Sequence, residues 1–89
     1  MTVCKHAYYS GRVQGVGFRF TAQQVAQGFA VAGFVRNLPG GSVEVLAEGV
    51  EEQVNGFLST LAQRMAEYIE ESRVEDEAPQ GVKGFRIRY

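Results

Sequence analysis

The sequence predicts an α+β domain in which two helices cover one face of a mostly antiparallel sheet. Two observations carry this prediction. Apolar residues recur with helical spacing in two separate segments, and they alternate with polar residues in the segments around those two. Two strands in the middle of the chain also flank a short proline- and glycine-containing turn, which indicates a hairpin.

The first half of the chain is predicted to hold one strand and one helix. The strand covers residues 3–13 and leads into a glycine-rich loop. Its two faces carry Ala7, Tyr9, Gly11 and Val13 on one side and His6, Tyr8, Ser10 and Arg12 on the other. The helix is indicated by spacings of four, three and four residues between Phe18, Ala22, Val25 and Phe29. Gly28 lies where this helix is expected to end.

The second half is predicted to hold a hairpin, a helix and two further strands. The hairpin is "VAGFVRN" and "SVEVLAE" around "LPGG". The second helix starts after Gly49, and its apolar stripe is Val50, Val54, Phe57, Leu58 and Leu61. The last strands are "YIEESRVE" and "GFRIRY", separated by the turn "APQG". With right-handed crossovers, this order gives a ferredoxin-like split βαβ sandwich, βαββαβ with an extra C-terminal strand, as one domain over residues 1–89.

Composition narrows the classes of function. The net charge of −1 lacks the basic excess of a general nucleic-acid binder. No apolar run reaches the ~20 residues of a membrane span, and the N-terminus has no apolar signal-peptide core. The single cysteine, Cys4, forms no internal disulfide. A monomeric, cytoplasmic protein is expected, and the acidic stretch "EYIEESRVEDE" is interpreted as a solvated edge strand.

The segment "GRVQGVGFR", residues 11–19, is the first candidate site. Gly15 and Gly17 can adopt positive φ, so that successive backbone amides point inward and form an anion-binding nest before a helix N-terminus. Arg19 adds a planar guanidinium that matches phosphate oxygens. The spacing fits neither a Walker loop nor G-x-G-x-x-G. On spacing alone, a glycine-rich turn with Arg19 as a surface charge is an equal alternative.

Asn37, in "GFVRNLPGGSVE", is the second candidate. Taken alone, an asparagine before a turn is better explained by hydrogen bonding to its own backbone. Strand alternation places Arg36 on the opposite face, where it is interpreted as a surface charge. His6 is interpreted as a structural or exposed histidine, and Ser42 as a cap of the hairpin.

Together, "GRVQGVGFR" and "GFVRNLPGGSVEVLAEG" resemble the two signature motifs of the acylphosphatase family, and the resemblance covers nearly the whole chain. It implies hydrolysis of small acyl phosphates to a carboxylate and inorganic phosphate, with no metal and no cofactor. By the same resemblance, Arg19 corresponds to the phosphate-binding arginine and Asn37 to the asparagine that orients the attacking water. The resemblance also implies that the backbone amides of Gln14, Gly15, Val16, Gly17 and Phe18 surround the phosphate.

The chain departs from the family pattern at three places. Tyr9 stands where an aliphatic residue is usual, and Phe34 where tryptophan is common. A frequent Leu-Gly-Leu before the second motif is here Phe29, Ala30 and Val31, which leaves the turn after the first helix without its usual glycine. None of these departures involves Arg19 or Asn37.

Two other functions are open to this sequence. The same order of elements occurs in RNA-recognition domains, although the mild acidity and the missing RNP1-like run argue against RNA binding. A sensing or accessory domain could instead keep the phosphate site without turnover. Since the sequence starts at Met1 and ends just after the last strand, a stand-alone enzyme is expected.

Overall fold

A computed structural model describes all 89 residues, and the predicted order of elements is confirmed. The elements are β1 (Thr2–Gly11), α1 (Phe18–Ala26), β2 (Val31–Asn37), β3 (Val43–Val50), α2 (Glu51–Arg64), β4 (Ile69–Glu77) and β5 (Phe85–Arg88). Neither helix has the length and hydrophobicity that crossing a lipid bilayer requires.

The five strands form one sheet in the order β4-β1-β3-β2-β5. β3 pairs antiparallel with both β1 and β2, so β1 and β2 run parallel to each other on either side of it. β4 joins β1 antiparallel, and β5 joins β2 in parallel. The predicted ferredoxin-like sandwich is therefore correct. Because β1, β2 and β5 point the same way, their C-terminal ends meet at one edge of the sheet.

The hydrophobic core lies between the sheet and the two helices. α1 packs on β2 and β5, and α2 packs on β1 and β3. The buried helix residues follow the predicted stripes: Phe18, Ala22, Val25 and Ala26 in α1, and Val54, Phe57, Leu58 and Leu61 in α2. Ala7 and Tyr9 face them from β1, and burial raises the pKa of Tyr9 to about 12.

Three predicted details are wrong. β1 ends at Gly11 rather than at residue 13, because its pairing with β4 becomes irregular between Ser10 and Gly11. Beyond that point the Arg12 amide donates to the Tyr68 carbonyl oxygen at 2.9 Å, outside the strand. Val50 belongs to β3 and is half exposed instead of joining the stripe of α2. Phe29 lies beyond the end of α1, although it still packs against the core. β2 has its predicted bounds, and the remaining strand ends differ from the prediction by one or two residues.

The turn between α1 and β2 closes without a left-handed glycine. The amides of Gln27, Gly28 and Phe29 donate to carbonyl oxygens three residues earlier in α1. The amide of Ala30 donates to Oε1 of Gln53 at 2.9 Å. No residue other than glycine has a positive φ, so Ala30 in place of the family's glycine introduces no backbone strain there.

The sheet face away from the helices carries two buried carboxylates on β3. Glu48 accepts hydrogen bonds from the amides of Gln80 and Gly81, at 2.6 and 2.9 Å, in the segment that crosses this face between β4 and β5. Glu44 pairs with Arg36 and lies 2.7 Å from Nε2 of His6. Arg36 thus faces away from Asn37, as strand alternation predicts.

His6 joins three strands of this face. Its Nδ1 lies 2.8 Å from a carboxylate oxygen of Glu77 on β4, while its Nε2 contacts Glu44 on β3. Both ring nitrogens therefore face carboxylates, and an imidazolium can donate to both. The interpretation of His6 as a structural residue is consistent with these contacts. The acidic stretch forms β4, an exposed edge strand, as expected.

Candidate active site

The loop between β1 and α1 is shaped by two glycines in the left-handed region. Gly15 has φ 78°, and Gly17, the residue that caps α1, has φ 79°. An added Cβ at either glycine would meet no atom within 4 Å, so the backbone conformation, not crowding, requires glycine at both places. The positive φ predicted from the sequence is present at both.

Backbone amides of this loop are free to bind a ligand. From Gln14 to Phe20, none of them donates to a backbone carbonyl oxygen, and the series of helical bonds opens with the Thr21 amide and the Gly17 oxygen at 2.9 Å. No acidic residue lies in the first turn of α1. The loop and helix end therefore present a run of uncompensated N–H donors with positive partial charge.

The loop opens onto a cleft of about 260 Å³ at the edge where β1, β2 and β5 end. The cleft is lined by Val13, Gly15, Gly17, Phe18, Arg19, Phe20, Asn37, Ile87 and Tyr89. Arg19 and Asn37, which come from different elements, thus line one cleft, as their place in the fold predicts. Of the remaining site residues predicted from the sequence, Gly15, Gly17 and Phe18 also line it. Gln14 and Val16 do not.

Arg19 has no carboxylate partner within 4 Å. Its guanidinium carbon lies 4.8 Å from the centre of the Tyr89 ring, and Arg19 as a whole is half-buried. A guanidinium without an internal anion keeps its donors available for an external one. Sequence reasoning missed Tyr89, because only the parallel pairing of β5 with β2 brings the chain end to this edge.

Asn37 is the last residue of β2, paired through its backbone with Val43 of β3. Its side chain shares the inward face of the strand with Val35. None of the side-chain hydrogen bonds in the structure engages it, so the alternative of an asparagine bonded to its own backbone is not observed. The amide of Asn37 is left free to bind a ligand in the cleft.

The side chain of Gln14 ties the loop to the hairpin. Its Nε2 donates to the carbonyl oxygens of Leu38 and Ser42, both at 2.8 Å. Both partners are acceptors, which fixes the nitrogen of the amide toward the hairpin. Sequence reasoning considered only the backbone amide of Gln14, so this contact was missed. Val16 packs its side chain against the core.

The cleft contains no acid, histidine or cysteine side chain among its lining residues. No three histidine, cysteine, aspartate or glutamate side chains anywhere in the chain are arranged to hold a metal ion. The arrangement offers backbone donors, one guanidinium and one neutral amide, which is a set suited to holding a tetrahedral anion and a water molecule.

The family model described as Acylphosphatase matches residues 5–87. The chain belongs to the acylphosphatase family. It is 47% identical over 88 residues to the acylphosphatase of Pseudomonas paraeruginosa, covering 97% of this chain and 96% of the relative. It is 43% identical to the acylphosphatase of Pseudomonas aeruginosa, with the same coverage.

The structure is similar to the crystal structure of acylphosphatase from Bacillus subtilis, with a TM-score of 0.89, 32% identity and 100% of both chains covered. Family and fold together support hydrolysis of small acyl phosphates. The resemblance drawn from the two sequence motifs is confirmed, and so is the prediction of an acylphosphatase enzyme.

We expect Gln14→Met to lower kcat by roughly tenfold while changing the Ki of inorganic phosphate much less. The variant keeps the loop amides and Arg19, but it removes the two hydrogen bonds that hold the hairpin, and therefore Asn37, against the loop. Steady-state kinetics with acetyl phosphate and inhibition by phosphate measure the two quantities. Gln24→Met, on the exposed side of α1, is the matched control. Equal losses in kcat and phosphate affinity would contradict this role.

Proposed function

We propose that the chain cleaves the carboxyl–phosphate bond of acyl phosphates by in-line attack of a water molecule held by Asn37. The phosphoryl group is held by Arg19 and by the backbone amides of Gln14, Gly15, Val16, Gly17 and Phe18. The observation that carries this proposal is the shared cleft, which brings together a guanidinium with no carboxylate partner, the free backbone amides of Gly15, Gly17 and Phe18, and the free side-chain amide of Asn37. Membership of the family supports it further.

A site of this kind accelerates the reaction by aligning the water with the phosphorus atom and by stabilising negative charge on the phosphoryl oxygens. Phosphoryl transfer needs the attacking and leaving oxygens in line and stabilisation of charge on the three equatorial oxygens. The guanidinium of Arg19 and the loop amides donate to those oxygens and strengthen as charge shifts in the transition state. In the free protein the loop already has the positive φ at Gly15 and Gly17 that an amide nest requires, and the Gln14 side chain ties the loop to the hairpin.

The bond between phosphorus and the acyl oxygen breaks as the bond from the water oxygen forms. The leaving group is a carboxylate, whose conjugate acid has a pKa near ~4, so it departs without a proton. The water gives its proton to a phosphoryl oxygen of the substrate, which explains why the cleft lining needs no carboxylate or histidine. The products are a carboxylate and inorganic phosphate.

Asn37→Ala tests the proposal. We expect kcat for acetyl phosphate to fall by at least ~100-fold, because the water loses the group that holds it in line. The thermal unfolding midpoint is expected to change little, since the Asn37 side chain has no partner in the protein. Asn55→Ala, on the exposed side of α2, is the matched control.

A wild-type chain that binds phosphate but releases no product would favour the sensing function. Turnover by Asn37→Ala close to wild type would remove Asn37 from the mechanism.

The single-domain organisation, the cytoplasmic location, the monomeric state and the independence from metals and cofactors stay predictions from the sequence.

A further inference from the structure

Phe20 is a large apolar residue that the fold does not use. It lies in the first turn of α1, directly after Arg19, and its side chain is 60% exposed. The buried stripe of this helix consists of Phe18, Ala22, Val25 and Ala26, and Phe20 lies outside it. Exposing an aromatic ring at this point therefore serves no packing purpose in the free protein.

The cleft carries two of the exposed large hydrophobic residues of this chain. Five large hydrophobic residues are exposed in this chain: Met1, Phe20, Val50, Val74 and Tyr89. Two of the five, Phe20 and Tyr89, line the same cleft as Arg19 and Asn37, and the half-buried Ile87 lies with them. An apolar wall that adjoins a few polar groups within one cleft is the usual composition of a small-molecule site.

We propose that Phe20, Ile87 and Tyr89 form the subsite for the acyl group, and that it selects acyl phosphates with an aromatic or bulky aliphatic acyl group. The inference rests on the proposed function, since it places the part of the substrate that the phosphate-binding groups do not hold. The phosphate-binding groups do not distinguish one acyl phosphate from another, so the subsite determines which acyl group is preferred.

The position of Phe20 suits in-line displacement. The attacking water and the departing acyl oxygen lie on opposite sides of the phosphorus atom. Asn37, which holds the water in the proposed mechanism, comes from the end of β2, whereas Phe20 comes from the first turn of α1. Ile87 and Tyr89 lie in and just after β5, which pairs with β2, so they are on the Asn37 side of the cleft. The acyl group therefore packs chiefly against Phe20, on the helix side, where it leaves Asn37 accessible to the water.

The chemistry of the subsite disfavours a charged acyl group. Arg19 is the sole ionisable side chain apart from the Tyr89 phenol among the residues that line the cleft, and the phosphoryl group engages it. A second carboxylate or an ammonium on the acyl group would lose hydration against Phe20 and Ile87 without gaining a partner. An aromatic or bulky aliphatic acyl group instead removes apolar surface from water on both sides.

The experiment compares kcat/KM for benzoyl phosphate and for acetyl phosphate in the wild type, Phe20→Ser, Phe20→Leu and Val74→Ser. The ratio of the two constants is compared between proteins, so that the different intrinsic reactivities of the substrates cancel. We expect Phe20→Ser to lower the ratio of kcat/KM for benzoyl phosphate to that for acetyl phosphate about tenfold. This change corresponds to the loss of roughly 50 Å² of apolar contact between the benzoyl group and the protein in the transition state. Phe20→Leu retains most of the ratio, and Val74→Ser, at an exposed apolar site on β4 away from the cleft, leaves it unchanged.

Different results would contradict the acyl subsite and the proposed function. If the wild type hydrolyses both substrates and Phe20→Ser keeps the wild-type ratio, the acyl subsite is wrong and the proposed function stands. If the wild type hydrolyses neither substrate, the proposed function fails and the subsite falls with it. Circular dichroism and thermal unfolding of each variant verify that the ratio is measured on folded protein.

Discussion

Arg19→Gln is expected to lower kcat/KM for acetyl phosphate by at least ~100-fold, corresponding to about 3 kcal/mol of lost transition-state stabilisation. Glutamine keeps a hydrogen-bond donor near the phosphoryl group, but it lacks the positive charge of the guanidinium and cannot donate two parallel hydrogen bonds to the phosphate as arginine does. In the free protein Arg19 has no carboxylate partner, so little stability is lost with it. The loss therefore falls on substrate and transition-state binding.

Three measurements define the role of Arg19: kcat/KM, the Ki of inorganic phosphate, and the thermal unfolding midpoint. Arg86→Gln, on the exposed side of β5, removes the same charge from a site away from the cleft and serves as control. Arg19→Lys keeps the charge and is expected to fall between wild type and Arg19→Gln. Wild-type phosphate affinity in Arg19→Gln would show that the arginine does not hold the phosphoryl group.

Gly33→Ala is expected to destabilise the fold by about 3 kcal/mol or more, which is large for a single methyl group. Gly33 is buried in β2 with φ 151°, and a Cβ built there would lie 1.8 Å from the carbonyl oxygen of Leu46 on the neighbouring strand. Relief of that clash requires β2 and β3 to separate where they pair. The Gly33 amide also donates to the carbonyl oxygen of Gly84, the residue just before β5, at 2.9 Å.

The matched control is Gly81→Ala. Gly81 also has a positive φ, 73°, but an added Cβ there would meet nothing within 4 Å. We expect a cost of about 1 kcal/mol at Gly81, from the backbone conformation alone. Urea denaturation of both variants measures the free energies of unfolding. Equal losses at the two glycines would show that the contact with Leu46 relaxes at no cost.

Local patterns in the sequence are enough to predict the elements and the main site residues. The spacing of Phe18, Ala22 and Val25 encodes the buried face of α1, and "LPGG" encodes the hairpin, because both depend on neighbours within a few positions. Arg19 and Asn37 could be named because the two motifs that contain them are long and occur in a fixed order. Their roles as catalytic groups stay predictions.

Features that depend on distant pairing could not be read from the sequence. Glu44 and Glu48 look like solvent-facing residues of an alternating strand, yet they are 4% and 8% exposed. Their burial requires Arg36, His6 and the segment after β4, which reach them through the sheet order. The bond from Gln14 to the hairpin and the contact of Arg19 with Tyr89 have the same origin.

The strand order also governs how fast the chain reaches its native state. β1 lies between β3 and β4, and His6 meets Glu77, 71 positions further along the chain. β1 thus gains both neighbours only after long stretches of chain have been brought back, and the entropy of closing those loops is lost before the contacts form. We expect refolding in milliseconds to seconds rather than microseconds, which stopped-flow measurements would show.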